Sequence, residues 1–163
     1  MEALVHRLLE WFALPSNGLS SVFLIAFTSA TLLPLGSEPA VFAYAKLNPG
    51  QFWLVVAVAT TGNTLGGIVD YWMGRAAKVT LAPDRQTRYL RWFERAGPKT
   101  LILSWLPAVG DPLCALAGWL KLPFWPCVAW MALGKFLRYS TMTAALLWVP
   151  NAWWMTLLRP FAG

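Results

Sequence analysis

The sequence predicts an all-α integral membrane protein. It reads as an inverted repeat of a re-entrant helical hairpin plus a transmembrane helix, with interfacial amphipathic helices. Three observations lead there. The first is composition: of 163 residues, 58% are hydrophobic and 12% charged, where a soluble domain carries about 25% charged residues. Eleven residues are Trp, a type enriched where membrane meets water. The second is a set of charge-free stretches at 11–37, 47–69 and 139–158. Each is long enough to cross a bilayer, which takes about 20 apolar residues. The third is a duplication. Leu33-Pro34-Leu35-Gly36-Ser37-Glu38-Pro39 and Leu106-Pro107-Ala108-Val109-Gly110-Asp111-Pro112 both read Leu-Pro, three residues, an acid, Pro. Proline breaks helices, and a carboxylate in apolar sequence is costly. Two such passages, matched in two halves, point to a repeat with a functional centre.

The chain divides as a single membrane domain, 1–163. Residues 1–18 begin with an amphipathic helix carrying Leu4, Leu8, Trp11 and Phe12 on one side, with Glu2, His6, Arg7 and Glu10 largely off it. It belongs at the interface. Glu2 and Glu10 spoil a basic n-region, so no signal peptide is expected. Pro15-Ser16-Asn17-Gly18 reads as a turn. Repeat one, 19–74, descends along 19–33, breaks at a tip containing Pro34, Gly36, Ser37, Glu38 and Pro39, and returns along 39–47. Non-helical backbone at membrane depth needs protein or a water-filled cavity around it. After the turn Asn48-Pro49-Gly50, residues 51–73 form the clearest transmembrane helix, ending at Gly74-Arg75. Gly62, Gly66 and Gly67 let another helix approach it closely.

Residues 75–99 carry Arg75, Lys78, Arg85, Arg88, Arg91, Arg95 and Lys99 against Asp84 and Glu94. Tyr89, Trp92, Phe93 and Ala96 share helical spacing. This predicts a basic amphipathic helix on the cytoplasmic membrane surface, stopped by Gly97-Pro98. Flanked by hydrophobic segments, such a helix suits a membrane surface better than a nucleic acid. Repeat two, 100–149, is broken at Pro107, Gly110, Asp111 and Pro112 and turns at Lys121-Leu122-Pro123. A long helix follows from Phe124. Phe124-Trp125 matches Phe52-Trp53, and Gly134 matches Gly62. Residues 150–163, with Trp153, Trp154 and Arg159, form an interfacial C-terminal segment. One crossing per repeat places the second copy upside down, a construction common among secondary transporters. Hairpin one then enters from the periplasmic face, hairpin two from the cytoplasmic face, and the tips meet near the midplane.

Four charged residues are candidates for substrate or proton binding: Glu38, Asp111, Lys135 and Arg138. An acid at a broken tip has two readings. It caps the following helix, as Asp111 before Pro112 is suited to do, or it takes up and releases a proton as solvent access alternates. Glu is a poor cap, so Glu38 favours the second reading. Lys135 and Arg138 lie halfway along the last long helix, where an intramembrane charge marks a functional site with a partner. Arg138 is expected to pair with Asp111 and Lys135 with Glu38; the bland alternative is a purely structural ion pair. Basic groups near half-helix N-termini also suit a phosphate. Asp70 reads as interfacial or paired with Arg75. Cys114 and Cys127 read as buried thiols. The one histidine, His6, lies outside the apolar core, which weighs against a serine protease or a histidine phosphatase. No enzyme activity, cofactor or metal is expected.

The same residues carry a family resemblance over 19–147. Ser29-Ala30-Thr31-Leu32-Leu33-Pro34 running into Ser37-Glu38, Gly62-Asn63-Thr64-Leu65-Gly66-Gly67 and Gly74-Arg75 resemble the DedA family (the VTT or SNARE-associated domain), and its short YqaA-like branch most. Leu103-Ser104-Trp105-Leu106-Pro107, Val109-Gly110-Asp111, Leu116-Ala117-Gly118-Trp119, Gly134-Lys135 and Leu137-Arg138-Tyr139 extend it. The resemblance implies a multi-pass protein of the bacterial inner membrane with opposed re-entrant hairpins. It also implies a role in lipid translocation that depends on the proton motive force, with Glu38 as the hairpin-one acid. Typical members carry Arg three residues before and three after the hairpin-two proline; here those positions are Ser104 and Gly110. The expected partners are membrane lipids and protons, and a homodimer is compatible. Two alternatives stand beside lipid translocation: a proton-coupled carrier or channel for a small solute, and a non-transporting organiser that works through partner helices at Gly62, Gly66 and the basic helix.

Overall fold

The computed structural model describes residues 15–31, 36–81, 93, 95–106 and 109–148. Every regular element among them is helical. The expected helix within 1–14, the tip prolines Pro34 and Pro107, the basic residues Arg85, Arg88 and Arg91, and the segment 150–163 lie outside the described residues.

Helix α1 spans Pro15–Thr31. The turn expected at 15–18 is instead its first turn, because a proline at the first helical position loses no intrahelical hydrogen bond. Helix α2, Glu38–Leu47, returns after the break. A short 3₁₀ turn, Pro49–Gln51, leads into α3, Phe52–Leu81, 30 residues long. At 1.5 Å per residue α3 is about 45 Å, longer than a hydrocarbon core of about 30 Å. It does not stop at Gly74 as the sequence suggests, since Gly74 serves a helix contact. The stretch Pro49–Ala77, the 3₁₀ turn and most of α3, is the one described helix long and apolar enough to cross a membrane.

The second half opens with a 3₁₀ helix, Gly97–Trp105, entered through Gly97 at φ 63°. Runs of 3₁₀ structure beyond three or four residues are uncommon, and periodicity gave no warning of this one. Helix α4 is Gly110–Trp119 and α5 is Phe124–Trp148. Between them Lys121 takes φ 55°, and its N–H donates to the Gly118 carbonyl at 2.9 Å, closing α4.

The packing follows one rule in both halves. The first limb lies on the long helix of its own half: α1 on α3, and the 3₁₀ helix on α5. The second limb crosses over: α4 lies on α3, and α2 on α5. Gly62 and Gly66 face α1, where a Cβ would come within 2.6 Å of the Phe23 carbonyl and 2.5 Å of the Ala30 Cβ. Gly134 does the same for the 3₁₀ helix, with the Ile102 carbonyl 2.7 Å from a Cβ position. Gly74 and Gly118 are reciprocal: a Cβ on the first would overlap the Ala115 carbonyl, and one on the second the Tyr71 carbonyl. Two apolar clusters result. One gathers Val22, Ala26, Val41, Tyr44, Val56 and Tyr139. The other gathers Tyr71, Phe93, Leu101, Cys114, Cys127 and Met131. Both cysteines are free and buried. Trp53, Trp125 and Trp148 are 67%, 77% and 90% exposed, a surface suited to lipid rather than water.

Candidate functional site

Helix α5 carries both cations, three residues apart and so about one turn from each other. Lys135 and Arg138 are both buried, and each meets one tip acid.

Glu38 begins α2 directly after the break. Its Oε1 accepts from Arg138 Nε at 2.6 Å and also from Nη2. Beside it the buried Ser37 hydroxyl is hydrogen-bonded to the Tyr139 phenol. The Ser37 carbonyl takes the Ala40 and Val41 N–H groups, each at 3.2 Å, as the first bonds of α2, and the Ser37 side chain makes no capping bond. A Cβ on Gly36 would overlap Glu38 Oε2, so the missing side chain leaves the carboxylate its place.

Asp111 lies in the first turn of α4, two residues after the N-cap Val109. The expectation that Asp111 is itself the cap is therefore corrected. Its Oδ1 accepts from Lys135 Nζ at 3.1 Å. The same ammonium donates to the Asn63 backbone carbonyl at 2.5 Å. Lys135 reaches α3 because Gly67 has no side chain; a Cβ there would lie 2.9 Å from Nζ and 3.2 Å from Cys114 Sγ. Gly67 is thus not a contact point between helix backbones, as its spacing with Gly62 and Gly66 suggests, but room for a charge.

The pairing is the reverse of that expected: Lys135 with Asp111, Arg138 with Glu38. The Ser37–Tyr139 bond fixes tip one at the middle of α5, next to Arg138. Gly67 and Asn63 draw Lys135 to the α3 side, where α4 lies. Spacing places both cations on one helix but does not say which turn each tip meets.

Sequence reasoning undervalued Asp70. It sits well inside α3, half-buried, because α3 continues to Leu81. Arg75 is engaged elsewhere, donating to Tyr71 Oη at 3.2 Å and lying over the Trp72 ring. Asp70 instead interacts electrostatically with Asp111 and Lys135. Its Oδ2 is buried with no hydrogen-bond partner among the described residues. Three more atoms on the same helix share that condition: Thr60 Oγ1, Asn63 Oδ1 and Thr64 Oγ1. An unmet buried polar group costs about 1–3 kcal/mol. Four of them on eleven residues would take a large part of the roughly 5–15 kcal/mol that holds a domain folded. The signal was present in the sequence, since Asn63, Gly67 and Asp70 are spaced i, i+4, i+7 and share a face.

The two family arginine positions are also explained. Ser104 is buried and donates to the Met131 carbonyl at 3.2 Å. A Cβ on Gly110 would come within 2.8 Å of the Ser104 carbonyl. The two positions pack against each other and leave no room for a guanidinium. Arg95 is exposed, as a surface residue of the basic segment. Pro39 and Pro112 are exposed at their helix starts. Pro112 borders an open apolar groove of about 430 Å³ between α3 and α4, lined also by Met73, Gly74, Ala77, Ala115 and Trp119.

Comparison with known proteins gives a consistent picture. The VTT domain family model matches residues 14–147. The chain is 40% identical to the Escherichia coli inner membrane protein YqaA over 136 residues, 83% of this chain and 95% of that one. A Haemophilus influenzae protein described as uncharacterized is 39% identical over 135 residues, 78% of this chain and 86% of that one. The uncharacterized membrane protein YbfM of Bacillus subtilis is 26% identical over 134 residues, 74% and 83% of the two chains. No solved structure matches the chain.

Proposed function

The chain belongs to the VTT domain family and is a bacterial inner-membrane protein, and from that premise we propose that it moves an anionic lipid headgroup between leaflets. One observation carries the reading: two buried cations on adjoining turns of α5, each paired with a partly buried acid at the start of a short helix that follows a break. Such pairs are costly to place in a membrane and are kept where they bind or relay charge. Arg138 suits a phosphate because its fork of donors matches phosphate oxygens. A phosphate arriving at tip one would compete with Glu38 for that fork.

The crossed packing of the second limbs supports two re-entrant hairpins related as an inverted repeat, with tips that approach the midplane from opposite sides. The groove beside Pro112 is apolar and open, which suits an acyl chain better than a hydrated solute. That favours lipid over a small-solute carrier. The organiser reading needs Gly62 and Gly66 free for a partner helix, and α1 of this chain covers both. Proton uptake by the acids of the site would couple the cycle to the membrane gradient.

The test is reconstitution in vesicles with a fluorescent phosphatidylglycerol. Purified protein is expected to raise its transfer between leaflets, and Glu38→Gln and Arg138→Ala to lower it. A parent protein that moves no lipid, or variants that match the parent, would sink the proposal.

A further inference from the structure

We propose that the buried polar stripe of α3, Thr60, Asn63, Thr64 and Asp70, holds internal water that forms the proton path, and that Asp70 is its proton-accepting end. This rests on the proton use proposed above and names its route.

Each member offers a buried oxygen with no partner among the described residues: Thr60 Oγ1, Asn63 Oδ1, Thr64 Oγ1 and Asp70 Oδ2. Thr60, Asn63 and Thr64 are 9%, 2% and 7% exposed. Buried polar groups in native proteins find partners, and where protein supplies none, ordered water does. Ten residues of helix cover about 15 Å, half a hydrocarbon core. At Gly67 the stripe runs past the Lys135 ammonium, which with Cys114 Sγ and Met131 Sδ fills the room a side chain would take.

The acids around Lys135 do not share it equally. Asp111 accepts its ammonium directly. Asp70 stands three residues beyond Gly67, about 5–6 Å along the same face. Asp111 and Cys114 of α4 and Lys135 of α5 interact with it electrostatically, and on its own helix Arg75 is engaged by Tyr71 and Trp72. Two carboxyl groups thus lie in the field of one ammonium and only Asp111 bonds it, so a proton on Asp70 relieves the excess negative charge. The proton reaches Asp70 from water along the stripe and leaves on the far side of Lys135 by way of Asp111, whose side chain is 24% exposed. At tip one Glu38 is held by two donors of Arg138, so it is the less free of the two sites.

The experiment has two arms. In detergent, infrared difference spectra across a pH series are expected to show a carboxylic-acid band that Asp70→Asn removes. In vesicles holding a trapped pH dye, an imposed potential is expected to drive protons inward through the parent. Asp70→Asn lowers that flux by about tenfold or more; Thr64→Val lowers it severalfold and Thr64→Ser restores it. Should Asp70→Asn fail to fold, the Thr64 pair carries the test. A flux in Asp70→Asn or Thr64→Val within twofold of the parent, a parent with no flux, or an infrared band that survives Asp70→Asn overturns the inference. Lipid transfer is read in the same vesicles. Lipid movement without proton flux overturns this inference alone. Asp70-dependent flux without lipid movement supports it and overturns the lipid reading.

Discussion

The two tips use the same ingredients and reach opposite states. At tip one a single carboxylate meets a single guanidinium, and the neighbouring Ser37 and Tyr139 close on each other. The charges balance. At tip two a single ammonium is divided between Asp111, a backbone carbonyl and the field of Asp70. Two acids stand against one base. The near-copied sequences therefore build a clamp in one half and an unfinished network in the other. The difference comes from α3, which contributes Gly67, Asn63 and Asp70 to tip two; nothing of that kind is added to tip one among the described residues.

Removing the cations should separate the halves most. Lys135→Ala leaves two acids facing each other without a cation. We expect it to cost more than the roughly 3–5 kcal/mol typical of breaking a buried pair. Arg138→Ala, which leaves one acid, should fall within that range. Thermal unfolding in detergent ranks them; equal losses would erase the distinction between the tips. Next in size is Gly118→Ala, where a methyl group must displace the Tyr71 carbonyl, at about 1–3 kcal/mol. It should loosen the α3–α4 side and leave tip one intact, as judged by the effect of a further Arg138→Ala. Ser37→Ala leaves the buried Tyr139 hydroxyl unpaired and should cost about 1–3 kcal/mol. A double cycle with Tyr139→Phe measures the bond itself.

The smallest effect tests the comparison most sharply. Asp111→Asn should be mild, because Asp70 remains to balance Lys135. Glu38→Gln has no such substitute and should be worse. Asp70→Asn combined with Asp111→Asn should exceed the sum of the single losses, as coupled neighbours do. Additive losses would show that Asp70 plays no part in balancing Lys135.

The four charges of the site were legible because charge is rare in this sequence, and the break between α1 and α2 because proline and glycine mark it. Which cation meets which acid was not legible. Lys135 and Arg138 are three residues apart, and their partners are chosen by contacts that the charge pattern does not show: Gly67 and Asn63 for Lys135, the Ser37–Tyr139 bond for Arg138. The 3₁₀ limb was hidden for a related reason: its register is set by backbone contact with Gly134, not by its own apolar pattern. Asp70 was underrated because Gly74-Arg75 looked like the end of a helix. Gly74 is buried against α4, and the helix runs on, which moves Asp70 away from the surface and into the site.

The paired glycines of α3 and α4 have a mechanical meaning. Where Gly74 meets Ala115 and Gly118 meets Tyr71, backbone touches backbone with no side chain between to compress or swing aside. That contact resists sliding. A rearrangement of α4 that kept it would have to turn about it, and the end that travelled would be the one bearing Asp111. Spin labels placed across the pivot would report a constant separation while labels near Asp111 change theirs.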